Sequence, residues 1–176
     1  MSDFLSFDTL SLHAGQTLDS EFGSRAQPIH QTTSYVFTDT DTASSLFNLE
    51  RGGHVYNRIS NPTVGVLEQR VAALEGGSAS VCVSSGMSAV FCALTALVSQ
   101  GDHVVASANM YGGNISLLKN TLPRFGITAT FVDPTDIKQI ESAIQENTKI
   151  IFGELIGNPG LSVMDIEAVS KICSKH

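Results

Sequence analysis

Three short segments of this chain carry residue types that can do chemistry together. The first, Ser84-Ser85-Gly86-Met87, follows an apolar run and opens what reads as a helix. A glycine lets backbone approach an anion closely, serine hydroxyls donate, and the free N–H groups of a helix start favour phosphate. A plain tight turn with a serine cap explains the same four residues. The second, Tyr111-Gly112-Gly113, sets a ring able to stack on a flat ligand beside two residues that clear space for it. A half-buried tyrosine next to a flexible turn is the alternative. The third, Gly157-Asn158-Pro159-Gly160, holds an amide able to donate a hydrogen bond to a ring substituent, or simply able to form a turn before proline. Nearer the amino end, Tyr56-Asn57-Arg58 offers a guanidinium fork suited to phosphate or carboxylate, with a solvated surface arginine as the bland reading.

Other chemistries find little support. His13, His30, His54, His103 and His176 are scattered without ligand-like spacing, and Cys82, Cys92 and Cys173 form no metal-binding pair. No nucleophile elbow, P-loop or dinucleotide fingerprint is present.

The elements that must position these segments can be read from periodicity. Residues 1–60 are irregular, rich in Gly, Ser, Thr, Asp and Asn, and read as an arm that wraps the following domain or reaches a neighbouring subunit. From Asn61 a cap, a proline in the first turn and an apolar stripe of Val64, Leu67, Val71 and Leu74 predict a helix stopped at Gly76-Gly77. Strand-then-helix units then repeat: strand Ala79–Val83 and helix Met87–Val98, strand His103–Ala106 and helix Asn114–Leu122 stopped by Pro123. Thr128–Val132 with a helix carrying Ile137, Ile140 and Ile144, and Lys149–Leu155 with helix Asp165–Ser174, complete the series. Met87–Val98 is apolar nearly all round, so burial on most faces is expected. Four βα alternations predict an α/β fold, a mostly parallel sheet flanked by helices, over 61–176. In such a sheet ligands bind beyond the carboxyl ends of the strands, where all three loops would lie. The series stops after a helix where a further strand would normally follow, which reads as an incomplete domain.

Composition narrows the class further. A net charge of −7 with only 15% charged residues argues against nucleic acid as a partner. The apolar stretch Ser88–Val98 is too short to cross a bilayer, and no secretory leader is visible. Three cysteines read as buried free thiols in a reducing compartment, with the cytoplasm as the default location.

The segments also occur in a telling order. His13-Ala14-Gly15, Gln31-Thr32-Thr33-Ser34-Tyr35-Val36-Phe37, Tyr56-Asn57-Arg58 with Asn61-Pro62-Thr63, and Leu74-Glu75-Gly76-Gly77 are followed by Ser84-Ser85-Gly86-Met87, Tyr111-Gly112-Gly113, and Glu154 with Asn158-Pro159. Together they resemble the Cys/Met-metabolism family of pyridoxal 5'-phosphate (PLP) enzymes, which share the fold type I large domain of aspartate aminotransferase. Leu46-Phe47-Asn48-Leu49 before Gly53, and Ile156-Gly157-Asn158-Pro159, are most similar to the O-acetylhomoserine sulfhydrylase branch. The resemblance implies roles. Gly86 and Met87 would bind the cofactor phosphate through backbone N–H groups, Tyr111 would stack on the pyridine ring and assist proton transfer or leaving-group departure, and Asn158 would contact the phenolic oxygen. Tyr56 and Arg58 would reach the phosphate of a neighbouring subunit, so the enzyme would be a homo-oligomer, a tetramer in the family, with a small amino-acid substrate. Asn57 stands where many relatives have serine.

The family's aspartate against the pyridine nitrogen and its Schiff-base lysine find no match here. Lys119, Lys138, Lys149, Lys171 and Lys175 all read as surface residues. The resemblance therefore implies part of a γ-replacement transferase, inactive as residues 1–176 alone. A cystathionine γ-synthase, γ-lyase or methionine γ-lyase relative is the alternative, as is a non-catalytic fragment that associates with a complete subunit.

Overall fold

A computed structural model describes residues 5–176. The chain divides into two compact units, one running to Cys82 and the other from Val83 to His176.

In the first unit the irregular segment holds two short helices, α1 (Phe7–His13) and α2 (Thr40–Phe47), capped by Ser6 and Asp39. The long helix α3 (Pro62–Glu75) begins as its sequence foretells. Asn61 Oδ1 accepts from the Thr63 N–H, Pro62 occupies the first turn, and Gly76 ends the helix in the left-handed region at φ +66°. The compact unit runs past residue 60 because the preceding segment packs on α3. Gly15, itself at φ +76°, lies so close to α3 that a Cβ there would stand 2.6 Å from the Val66 carbonyl oxygen. Nearby, Arg70 Nε donates to the Ala14 carbonyl at 2.9 Å.

The strand expected at Ala79–Val83 does not form. Its polar groups go to α3 instead: Ser80 Oγ donates to the Glu68 carbonyl at 2.6 Å, and the Cys82 N–H donates to Glu68 Oε1 at 2.9 Å. The Cys82 N–H, one of the backbone donors a ladder would use, is thereby taken.

The second unit has three parallel strands, β1 (His103–Ser107), β2 (Thr128–Val132) and β3 (Thr148–Phe152), in the order β2-β1-β3. All five residues of the central strand are buried. Side chains alternate across it. Val104 and Ala106 join Leu94, Val98, Met110, Leu117, Leu118, Leu122 and Ile127 in one core, while Val105 joins Val132, Ile140, Met164, Val169 and Ile172 in another. One face is thus covered by α4 (Gly86–Leu97) and α5 (Gly112–Ser116) with its continuation, the other by α6 (Ile137–Ser142) and α7 (Ile166–Lys175). Ser85, Asp136 and Asp165 cap α4, α6 and α7. β3 is shorter than expected and ends at Phe152; at the next residue, Gly153, the Met164 side chain occupies the space a Cβ would fill.

Three further expectations are corrected. The helix read as stopping at Pro123 instead passes from α5 into a π-helical turn, Leu117–Thr121, and a 3-10 turn, Leu122–Phe125. Pro123 sits in the first turn of that last piece, where no N–H is needed, and Gly126 ends it at φ +76°. Helix α4 is buried along one side only: Leu94 is enclosed, but Phe91 and Leu97 are exposed, because the described residues pack against one face of it. The thiols are free, as expected, but not buried. Cys92 and Cys173 are exposed on the outer faces of α4 and α7, and Cys82 is half-buried.

Candidate active site

Because the three strands run in one direction, their carboxyl ends share an edge, and Tyr111, Asp133 and Glu154 follow β1, β2 and β3 there. Helix α4 leads into β1 and so presents its amino end to the same edge. Its first residue, Gly86, is exposed, and a Cβ added there would meet nothing within 4 Å. Ser85 Oγ accepts from the Ser88 N–H at 3.1 Å and the Ser85 carbonyl from the Ala89 N–H at 3.0 Å. The N–H groups of Gly86 and Met87 have no acceptor among the described residues. Two donors without a protein acceptor at the start of a twelve-residue helix suit an anion.

Tyr111 adjoins that helix start. A Cβ at Gly113 would stand 2.5 Å from Tyr111 Cε1 and 3.0 Å from Met87 Sδ, so the tyrosine ring and the methionine both lie against Gly113. Among the segments singled out by sequence, this is the one glycine whose missing side chain the ring requires. Tyr111 remains half exposed, at 53%. Its backbone N–H donates to Glu154 Oε1 at 3.0 Å, and the buried Asn114 donates to the same oxygen through Nδ2 at 2.9 Å. On the neighbouring loop, Thr135 donates to Asp133 through both its N–H and its hydroxyl, which holds that carboxyl below the usual range and keeps it charged.

The loop after β3 folds back as a hairpin. Gly157 N–H donates to the Ser162 carbonyl at 2.8 Å and Met164 N–H to the Leu155 carbonyl at 3.0 Å. Asn109, two residues after β1, anchors it by donating through Nδ2 to Ser162 Oγ at 2.6 Å. A Cβ at Gly157 would lie 2.7 Å from the Asn109 carbonyl oxygen, and one at Gly160 would lie 2.8 Å from its Nδ2. Asn158 stands exposed on this loop, before a cis bond to Pro159.

Gly86, Met87, Tyr111 and the Asn158 loop are therefore brought to one edge of one unit. Tyr56 and Arg58 belong to the other unit, where both are exposed and the guanidinium carbon lies 5.7 Å from the Tyr56 ring centroid. The segment is held by backbone: Asn57 N–H donates to the Thr33 carbonyl at 2.9 Å, and Asn61 Nδ2 donates to Asn57 Oδ1 at 2.6 Å. All five lysines are exposed. Two are engaged on the surface, Lys171 with Glu167 and Lys175 with Glu141. Sequence reasoning missed the roles of Asn109 and Glu154. Both act on residues more than forty positions away, and no local pattern signals such a bond.

A parallel α/β sheet with unpaired N–H groups at a helix start and a tyrosine beside them is an arrangement that suits an anionic ligand. The particular family follows from comparison with known proteins. The model of the Cys/Met metabolism PLP-dependent enzyme family matches residues 8–176, and the chain belongs to that family. It is 49% identical over 94% of its length to a homocysteine synthase of Schizosaccharomyces pombe, and spans 39% of that protein. It is 47% identical over 96% of its length to an O-acetyl-L-homoserine sulfhydrylase of Leptospira meyeri, of which it spans 38%. Among solved structures, it superposes with a TM-score of 0.90 on a Campylobacter jejuni protein assigned as an O-acetylhomoserine (thiol)-lyase that carries N'-pyridoxyl-lysine-5'-monophosphate. That match is 43% identical and covers 98% of this chain and 42% of the other. The chain thus spans about two-fifths of the length of these relatives. The sheet with its flanking helices is part of a fold type I PLP domain.

Proposed function

We propose that this chain is the part of a γ-replacement enzyme that binds the cofactor phosphate and ring, and that the whole enzyme converts O-acetylhomoserine and sulfide or a thiol to homocysteine or methionine plus acetate. The observation that supports this reading is the meeting of free N–H groups at Gly86 and Met87 with the Tyr111 ring at one sheet edge. The similarity to homocysteine synthase and O-acetyl-L-homoserine sulfhydrylase supports the choice of substrate.

When bound, PLP supplies the electron sink that lets protons leave carbon. The chain's own residues do the rest. The Gly86 and Met87 N–H groups hold the phosphate at the positive end of α4. Tyr111 covers one face of the pyridine ring, and its hydroxyl is available to move a proton at the acetate-bearing side of the substrate. Asn158 donates to the ring's phenolic oxygen. Tyr56 and Arg58 reach the phosphate of a neighbouring copy, Arg58 as a charged fork, which makes the working form a homo-oligomer. A tetramer in the cytoplasm completes the proposal. Residues 1–176 alone carry no lysine in the context that would hold the cofactor covalently, so they are expected to be inactive by themselves.

The test is an assay of the full-length enzyme with O-acetyl-L-homoserine and sulfide, following homocysteine and acetate in equal amounts. Release of 2-oxobutanoate from methionine or cystathionine, with no homocysteine from the acetyl ester, would reassign it as a γ-lyase.

A further inference from the structure

We propose that Glu154 is the positioning residue for Tyr111, fixing through one carboxylate oxygen where the tyrosine ring stands at the sheet edge. The proposal rests on the reading of Tyr111 as the residue that covers the ring, and it deepens that reading.

Local bonds reach only the carbonyl side of Tyr111, which accepts from the Asn114 and Ile115 N–H groups at 2.9 and 3.2 Å. It precedes a helix of only five residues, with φ −48° and ψ 133° and no side-chain cap. The helix runs on through the turns over Leu117–Phe125, whose leucines anchor its far end in the core, so its start is the free end. The acceptor for the Tyr111 N–H comes from elsewhere, two residues past the end of β3. The Tyr111 N–H and Asn114 Nδ2 both end on Glu154 Oε1, at 3.0 and 2.9 Å, so one oxygen ties both the start and the first turn of α5 to the end of β3. β3 is itself paired along the fully buried central strand, which makes it a rigid base. Ring and backbone are coupled, because the Tyr111 ring and Met87 Sδ both lie where a Gly113 side chain would be. Moving the 111 backbone moves the ring relative to the start of α4.

The geometry separates charge from placement. Both donors use the same oxygen, so an uncharged amide oxygen at that point can accept both bonds. Glu154→Gln should therefore preserve the arrangement. Glu154→Leu removes the acceptor, and Glu154→Asp keeps the charge but withdraws the oxygen by one methylene. A misplacement of about 1 Å can cost on the order of 100-fold in rate.

The experiment uses the full-length, cofactor-loaded enzyme with these three variants. Hydrogen exchange at the Tyr111 amide reports position, independently of activity. Visible circular dichroism of the bound cofactor, kcat and KM report the consequence. Glu154→Leu and Glu154→Asp should speed exchange by about 10- to 100-fold, the scale of losing a hydrogen bond to a charged group. Both should lower kcat by a similar factor with KM little changed, and both should alter the dichroism. Glu154→Gln should stay close to the parent in all readouts. If Glu154→Leu fails to fold, Glu154→Asp carries the test. Unchanged exchange in the acceptor-less variant, or equal damage from Glu154→Gln, overturns the proposal and leaves the proposed function standing. Faster exchange with unchanged kcat and dichroism would instead overturn the role of Tyr111 itself.

Discussion

His103 and Thr148 face each other across the β1–β3 ladder, the imidazole Nδ1 lying 2.8 Å from the threonine hydroxyl. On the other side Nε2 lies 2.9 Å from Thr130 Oγ1 and 3.3 Å from Gln145 Nε2. The side chain is almost wholly enclosed, and burial lowers its pKa below the ordinary value of 6.5. The fold therefore favours the neutral ring, while the unfolded chain takes up a proton near the ordinary value. Stability should be fully present above that value and fall as pH drops through it. The urea midpoint should rise between pH 5 and pH 7, and His103→Gln should flatten that rise. Parallel curves for parent and variant would show that His103 does not govern it.

Asn61 is both cap and donor. Its Oδ1 accepts from Thr63, while Nδ2 donates to the His30 carbonyl at 2.8 Å and to Asn57 Oδ1. Aspartate is normally as good a cap as asparagine. Here Asn61→Asp would set a carboxylate against two acceptor oxygens, so it should cost about 1–3 kcal/mol and be no better tolerated than Asn61→Ala. Chemical denaturation of both variants measures the order, and a near-neutral aspartate would refute it.

Two glycines at the candidate site should respond in opposite ways. A Cβ at Gly157 would strike the Asn109 backbone, so Gly157→Ala should lose about 1–3 kcal/mol. Gly86 has open space and helical neighbours, so Gly86→Ala should leave the cofactor-free stability unchanged or raise it by up to about 1 kcal/mol. If its closeness to the phosphate matters, the same change should weaken PLP retention in the full-length enzyme. Equal affinity in a dialysis titration would remove Gly86 from the phosphate site.

Arg58 has no carboxylate partner among the described residues and lies against Tyr56. Removing a fork of charged donors from a phosphate should cost about 10- to 100-fold in affinity. Arg58→Ala in the full-length oligomer should weaken PLP by that factor without shifting the apo melting temperature. Mixing Arg58→Ala subunits with subunits disabled at Tyr111 should restore some active sites, since an Arg58→Ala subunit keeps its own Tyr111 and would borrow Arg58 from its neighbour.

Much of the fold was legible because its signals are local. The α3 start at Asn61-Pro62, the β-branched run of β2 and the Ile140 side of α6 each lie within a few residues of one another. The strand read at Ala79–Val83 does not form, and its apolar pattern says nothing of Glu68, which takes the Cys82 N–H. The exposed flank of α4 could not be foreseen, since composition reports what a helix can bury and not what lies beside it. At the site, the glycine, tyrosine and asparagine loops were visible as residue types at strand ends. Their anchors, Glu154 and Asn109, were not, because each works across more than forty residues of chain.

The parallel sheet also constrains the order of events during synthesis. His103 meets Thr130 27 positions later and Thr148 45 positions later. β1 is made before either flanking strand, leaving Val104-Val105-Ala106 without strand partners until both have followed. Pairing strands across such separations is slower than forming a helix. Helix α4, made just before β1 and apolar throughout, is the first surface on which that strand can shelter. Weakening α4 should therefore lower soluble yield more than it lowers the melting temperature of the protein that does mature.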